Sequence, residues 1–135
     1  MVEINNRTKN KIDIALIKSV AEKFLRDYKV KNKEVSIALV SDQTIKTLNK
    51  TYRQQDRATD VLSFAGEGNF LGEIVIDYAQ IKRQAKEYGK KAEDELIFVL
   101  VHGLLHLVGY DDKTEKSRLK MVRLGEKFIA KISKL

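Results

Sequence analysis

The stretch from Glu93 to Lys113, EDELIFVLVHGLLHLVGYDDK, limits what this chain can fold into more than any other. From Leu96 to Leu107 it is apolar apart from His102, Gly103 and His106. A helix that is hydrophobic all round is a buried one, and this run is too short to span a bilayer, so it predicts the centre of a soluble core. The chain has only 2 histidines, and both lie here, four residues apart. On a helix that spacing puts both imidazoles on one face, aimed at one spot. Two randomly placed histidines would show it in roughly 1–2% of chains of this length, which argues against coincidence. Burying two unpartnered imidazoles is costly, and a single metal ion would satisfy both. Gly109 and Asp112 follow at the spacing of a turn and a returning third ligand, completing H-x-x-x-H-x-x-G-x-x-D.

Two features qualify the pattern. Zinc peptidases of the H-E-x-x-H kind carry a glutamate base directly after the first histidine. Here that position is Gly103, so peptide hydrolysis is disfavoured. Asp112, followed by Glu115, also reads as a helix N-cap with an acidic third position. Ligation and capping use different oxygens, and both stay open.

The rest of the chain supplies a scaffold for this helix. Val2–Asn5 reads as a strand, and Asp13–Tyr28 as a helix with Ile14, Ile17, Ala21, Phe24 and Tyr28 on one face. Glu34–Val40 reads as a strand reached by a right-handed parallel crossover. Ser41 can cap a helix that buries Ile45, Leu48 and Tyr52 and ends near Arg53. Asp60–Phe64 and Gly72–Asp77 form an antiparallel hairpin, and a helix from Tyr78 to Tyr88 stops at Gly89. A last helix runs from Lys113 to Ser133, with Met121, Leu124, Phe128, Ile132 and Leu135 facing the core. The expected fold is α+β: a small mixed β-sheet with helices packed around a buried central metal-binding helix, a zincin-like layout. All 135 residues fit one domain. Without cysteine there is neither a disulfide framework nor a thiolate metal site. Neither a signal region nor a membrane-spanning run is present, so a cytoplasmic protein is expected.

The segment His102 to Asp112, HGLLHLVGYDD, resembles the signature of the YbeY family of bacterial metallo-endoribonucleases, usually H-G-x-L-H-L-x-G-Y-D-H. Three upstream segments resemble the same family in the same order: Leu48–Arg53, Thr59–Phe64 and Leu71–Ile76. The likeness spans about Leu39 to Arg118. It departs where the family's third ligand is usually histidine and here is Asp112. It departs again where Ala58 and Ala65 replace the usual prolines. The resemblance implies a single-strand-specific, metal-dependent endoribonuclease of small-subunit ribosomal RNA maturation and ribosome quality control. It implies His102, His106 and Asp112 as ligands of one divalent ion, most simply zinc, with His102 and Arg53 serving catalysis. Arg53 would contact a phosphate, though a cation at a helix C-terminus also complements the helix dipole. Asp60, Ser63 and Asp77 read as strand ends and caps, and Asp111 as a partner for a ligand imidazole.

Charge adds a partner class. A net charge of +7 and a pI near 9.5 favour a polyanion, here single-stranded ribosomal RNA on or near the ribosome. Lys113, Lys116, Lys120, Arg123, Lys127, Lys131 and Lys134 fall within roughly 80° of the last helix's circumference. Such a row repels itself unless phosphates or counterions neutralise it. A second basic cluster spans Lys82 to Lys91. Aromatics make up only 7% of the chain, so composition alone does not forecast base stacking. Two other classes fit the same residues. One is an RNA-binding assembly factor with a structural metal; the other is a metal-dependent hydrolase of a different substrate.

Overall fold

The computed structural model describes residues 1–53 and 59–133, with Arg53 described by its backbone alone. Ala58, Lys134 and Leu135 lie outside the described residues. The elements run β1 (Val2–Asn6), α1 (Ile14–Asp27), β2 (Glu34–Val40), α2 (Asp42–Arg53), β3 (Val61–Ala65), β4 (Phe70–Asp77), α3 (Tyr78–Glu87), α4 (Ala92–Leu107) and α5 (Glu115–Ser133). The fold is α+β, as the alternation of periods in the sequence predicts. Its four-stranded sheet has the order β1-β2-β4-β3. β1 and β4 each pair in parallel with β2, and β3 closes the edge as the antiparallel arm of a hairpin.

Side chains alternate across the sheet with the two-residue period of a strand. Ile37, Leu39, Ile74 and Ile76 point into the larger core, shared with α1, α3, α4 and α5. Ala38, Val40 and Val75 point the other way, where Ile45 of α2 covers them. α4 lies in the larger core and is buried on nearly every side, as its composition demands. Phe98, His102 and His106 form its partly open stripe. None of the described helices is long and apolar enough to cross a membrane.

Gly103 explains how α4 sits so close to the sheet. A Cβ there would meet Ile74 Cγ2 at 3.2 Å and Ser63 Oγ at 3.3 Å. The position where a peptidase helix holds its base therefore faces the sheet, with no room for a longer side chain.

Three details differ from the sequence-based expectation. Tyr52 is 66% exposed and packs edge-on against Phe64, while Asn49, one turn earlier, is fully buried. A polar residue on the inner face is invisible to a search for apolar periodicity. α5 begins at Glu115 and not at Lys113. Its cap is Thr114, whose Oγ1 accepts from the Ser117 N–H at 3.0 Å, so Asp112 is not the cap. β4 begins at Phe70, two residues before Gly72.

Asp77 ends β4 fully buried and caps α3, its Oδ1 accepting from the Gln80 N–H at 3.2 Å. Its Oδ2 has no hydrogen-bond partner among the described atoms. Burial, then the neighbouring Asp42 carboxyl, push Asp77 up to about 7. Asp42 is held down to about 2, chiefly by hydrogen bonds from Arg83, which grips it at 2.7 and 3.0 Å. The folded state thus binds a proton at Asp77 that the unfolded chain releases near 3.8. Stability from that proton is complete below 3.8 and is lost as pH rises through about 7. Asp77→Asn keeps the cap and removes the titration. It should raise the melting temperature at pH 8 and flatten the decline across that window in thermal melts; an unchanged pH profile would refute the account. Gly103→Glu should destabilise the fold by about 3 kcal/mol or more, read by urea denaturation, because it forces a carboxylate against Ile74.

Candidate functional site

α4 ends in a Schellman motif that builds the site. The Tyr110 N–H bonds the Leu105 carbonyl and the Gly109 N–H bonds the His106 carbonyl, each at 3.1 Å. Gly109 takes φ +107°, a conformation that strains other residues. The chain reverses there, and this places two groups. The Tyr110 carbonyl arrives 3.1 Å from His106 Nδ1. The Asp112 carboxylate arrives with Oδ2 3.6 Å from Nε2 of both His102 and His106.

The first contact decides a tautomer. A carbonyl only accepts, so His106 Nδ1 carries the proton and Nε2 keeps its lone pair for a ligand. The imidazoles stand edge to face, centroids 4.9 Å apart, and one donor atom from each of His102, His106 and Asp112 lies within 4.8 Å of the others. Tetrahedral zinc holds ligands at about 2.0–2.2 Å, which separates neighbouring donors by roughly 3.3–3.5 Å. The observed 3.6 Å spacings are close to that. Burial, and then His106, lower the His102 pKa below its ordinary value, outweighing the carboxylates of Asp112 and Asp60. That shift favours the neutral imidazole, the form a metal ligand needs. Two imidazoles, one carboxylate and an open side fit a divalent ion.

The triad opens into a cleft of about 990 Å³. Its walls include Tyr52 from α2, Asp60, Ser63 and Phe64 from around β3, and Arg118 and Val122 from α5. Sequence reasoning treated Asp60 and Ser63 as structural and passed over Arg118. Ser63 does both jobs, since its hydroxyl donates to the Gly103 carbonyl at 3.3 Å while lining the cleft. The family-like segment Thr59–Phe64 was the available signal for the β3 residues. Arg118 carried none, because its role depends on where α5 crosses the cleft. Its guanidinium pairs with Glu115 at 3.2 Å, and both side chains are largely exposed. Among the described lining residues it is the sole lysine or arginine.

Other expected residues fall elsewhere. Arg53 ends α2 as anticipated, but its side chain is outside the description. Asp111 does not hold an imidazole; its Oδ1 accepts from the Lys113 N–H at 3.1 Å, and the Tyr110 carbonyl takes the expected part. Lys113, Lys116, Lys120, Arg123 and Lys127 are exposed as predicted, but none lines the cleft. At about 100° per residue, the four on α5 lie within roughly 40° of the side diametrically opposite Arg118.

Comparison with known proteins agrees with this geometry. A family model described as Endoribonuclease YbeY matches residues 3–133. A protein of Heliobacterium modesticaldum named endoribonuclease YbeY is 41% identical, over 76% of this chain and 71% of its own. One of the same name from Aquifex aeolicus is 39% identical over 93% of this chain and 88% of its own. The solution structure of a Thermotoga maritima protein superposes with a TM-score of 0.73 at 32% identity, covering 96% of this chain and 87% of that one. The chain belongs to the endoribonuclease YbeY family.

Proposed function

We propose that the protein is a metal-dependent endoribonuclease. It cuts single-stranded RNA in the 3′-end maturation of small-subunit ribosomal RNA and in ribosome quality control, in the cytoplasm. One observation carries the chemistry: a His-His-Asp donor set with Nε2 of His106 freed by the Tyr110 carbonyl, at the base of an open cleft. Relatives named as endoribonucleases supply the substrate class.

A divalent ion, most simply zinc, held by His102, His106 and Asp112 would activate water and polarise a phosphoryl oxygen. The chain's own groups do the rest. The Tyr110 carbonyl orients His106, and burial favours the neutral form of His102. The cleft wall at Arg118 offers a guanidinium that can grip two oxygens of a phosphate. Its exposed pairing with Glu115 contributes little stability and is readily exchanged for a phosphodiester. Arg53 is expected to contact the scissile phosphate from the end of α2. Gly103 faces the sheet, so no base comes from that position. Attack by water and attack by the ribose 2′-hydroxyl both fit such a cleft.

His102→Ala and His106→Ala should each abolish cleavage of a single-stranded ribosomal RNA fragment and lower bound zinc from about one ion per chain toward zero, measured by elemental analysis. Cleavage surviving in metal-free variants would end the proposal. In metal-free protein the His102 imidazole should be more than half neutral at pH 6.5, read from its NMR carbon shifts, because its pKa is lowered from that value. Arg118→Ala should raise KM about 10-fold or more with zinc content unchanged, and Arg118→Lys should recover only part of the loss. An unaltered KM would remove Arg118 from the phosphate path.

A further inference from the structure

The basic row of α5 finds no place in the metal cleft, and the structure gives it another. Lys131 Nζ reaches both oxygens of Asp27, at the end of α1, at 2.9 Å. Lys120 Nζ lies over the Tyr110 ring, 5.6 Å from its centroid. The row therefore runs along the side of the molecule where α1 ends and the chain leaves α4. A second pocket, of about 530 Å³, opens on that side, lined by Tyr28, Val30, Lys33, Leu71 and Tyr110 among others.

Four of the chain's ten aromatic side chains meet here. Tyr28 stacks on buried Phe24 at 4.2 Å, and Phe24 meets Phe128 edge-on at 5.4 Å. Tyr110 stands perpendicular to Tyr28, 6.4 Å away. Tyr28 is therefore backed by core on one side, while both tyrosines remain partly exposed at the pocket. Rings held this way lose little entropy when a flat ligand stacks on them. Lysines at the rim, with Asp27 neutralised by Lys131, suit a ligand carrying a phosphate beside its flat face.

The pocket also adjoins the metal cleft. Leu107 lines both, and Tyr110 presents its carbonyl to His106 and its ring to the pocket.

We propose that the Tyr28–Tyr110 pocket binds an unpaired nucleobase of an RNA strand, flanking the segment held in the metal cleft, with the basic row of α5 tracking the backbone beyond it. This rests on the endoribonuclease reading for its ligand, but its test does not need cleavage.

The test uses metal-free full-length protein and a fluorescent single-stranded RNA of about 12 nucleotides, within the usual site sizes of such proteins, followed by anisotropy. Tyr110→Leu keeps the backbone carbonyl and removes the ring. It should weaken binding about 5- to 150-fold, the range for one stacked base. Lys120→Gln, at an exposed position, should weaken binding more modestly and lower its salt dependence. With 4-thiouridine in the RNA, photocrosslinks should map to peptides containing Tyr28 or Tyr110. Wild-type affinity in both variants, or crosslinks confined to the metal cleft, would overturn the proposal. Loss of cleavage with these binding results intact would count against the nuclease reading alone.

Discussion

The turn at Gly109 is the constraint on which the site depends. A buried helix must end with its last carbonyls satisfied, and α4 does so through the Tyr110 and Gly109 amides. That closure requires a residue tolerant of φ +107° and directs the next three residues back across the helix end. The same hydrogen bonds that stop the helix aim the Tyr110 carbonyl at His106 and deliver Asp112 to both imidazoles. The geometry of the candidate ligands is thus a by-product of helix termination, stabilised by the core that α4 occupies and not by the site alone. A site assembled this way stays preorganised without the ion, because its tautomer and donor positions come from backbone contacts.

Much of this was legible in the sequence, for identifiable reasons. The strands and helices declare themselves through alternation and three-to-four periodicity, and the parallel crossover and hairpin follow from the lengths between them. His102, His106 and Asp112 were legible because all three lie within one helix and its turn, where local geometry converts spacing into position. The other cleft walls were not. Asp60 and Ser63 reach the site because β3 is the edge strand packed beside α4, and Arg118 because α5 crosses at one angle and not another. Those are tertiary facts with no local period. Asn49 and Tyr52 show the same limit from the other side: hydrophobicity named Tyr52 as the inner residue of α2, and the fold buried the amide instead.

Gly103 shows how a shared spacing can carry different chemistry. Two histidines four apart fix only one face of a helix. The residue after the first histidine projects about 100° away, and what lies there depends on the neighbouring layer. Here Ile74 and Ser63 occupy that direction at 3.2–3.4 Å. The sheet has taken the space in which a helix-borne base would work, so any group assisting an ion there would come from other walls of the cleft.

The distribution of charge leads to a similar separation. A helix with its side chains is about 10–12 Å across, and the Debye length at physiological salt is about 8 Å. Lysines on the far side of α5 would therefore act only weakly on a phosphate in the cleft, while Arg118, which lines it, is placed to act more directly. A net charge of +7 can raise the encounter rate with any polyanion, but it does not choose where the strand lies. That choice falls to cations placed beside something else a nucleotide needs. Arg118 shares a cleft with the three candidate metal ligands, and Lys120 lies over a tyrosine ring. A strand held at both places must bend around the end of α4, past Leu107. Single-stranded RNA bends far more readily than a duplex does, so the two proposed contacts are compatible with the unpaired substrate proposed above.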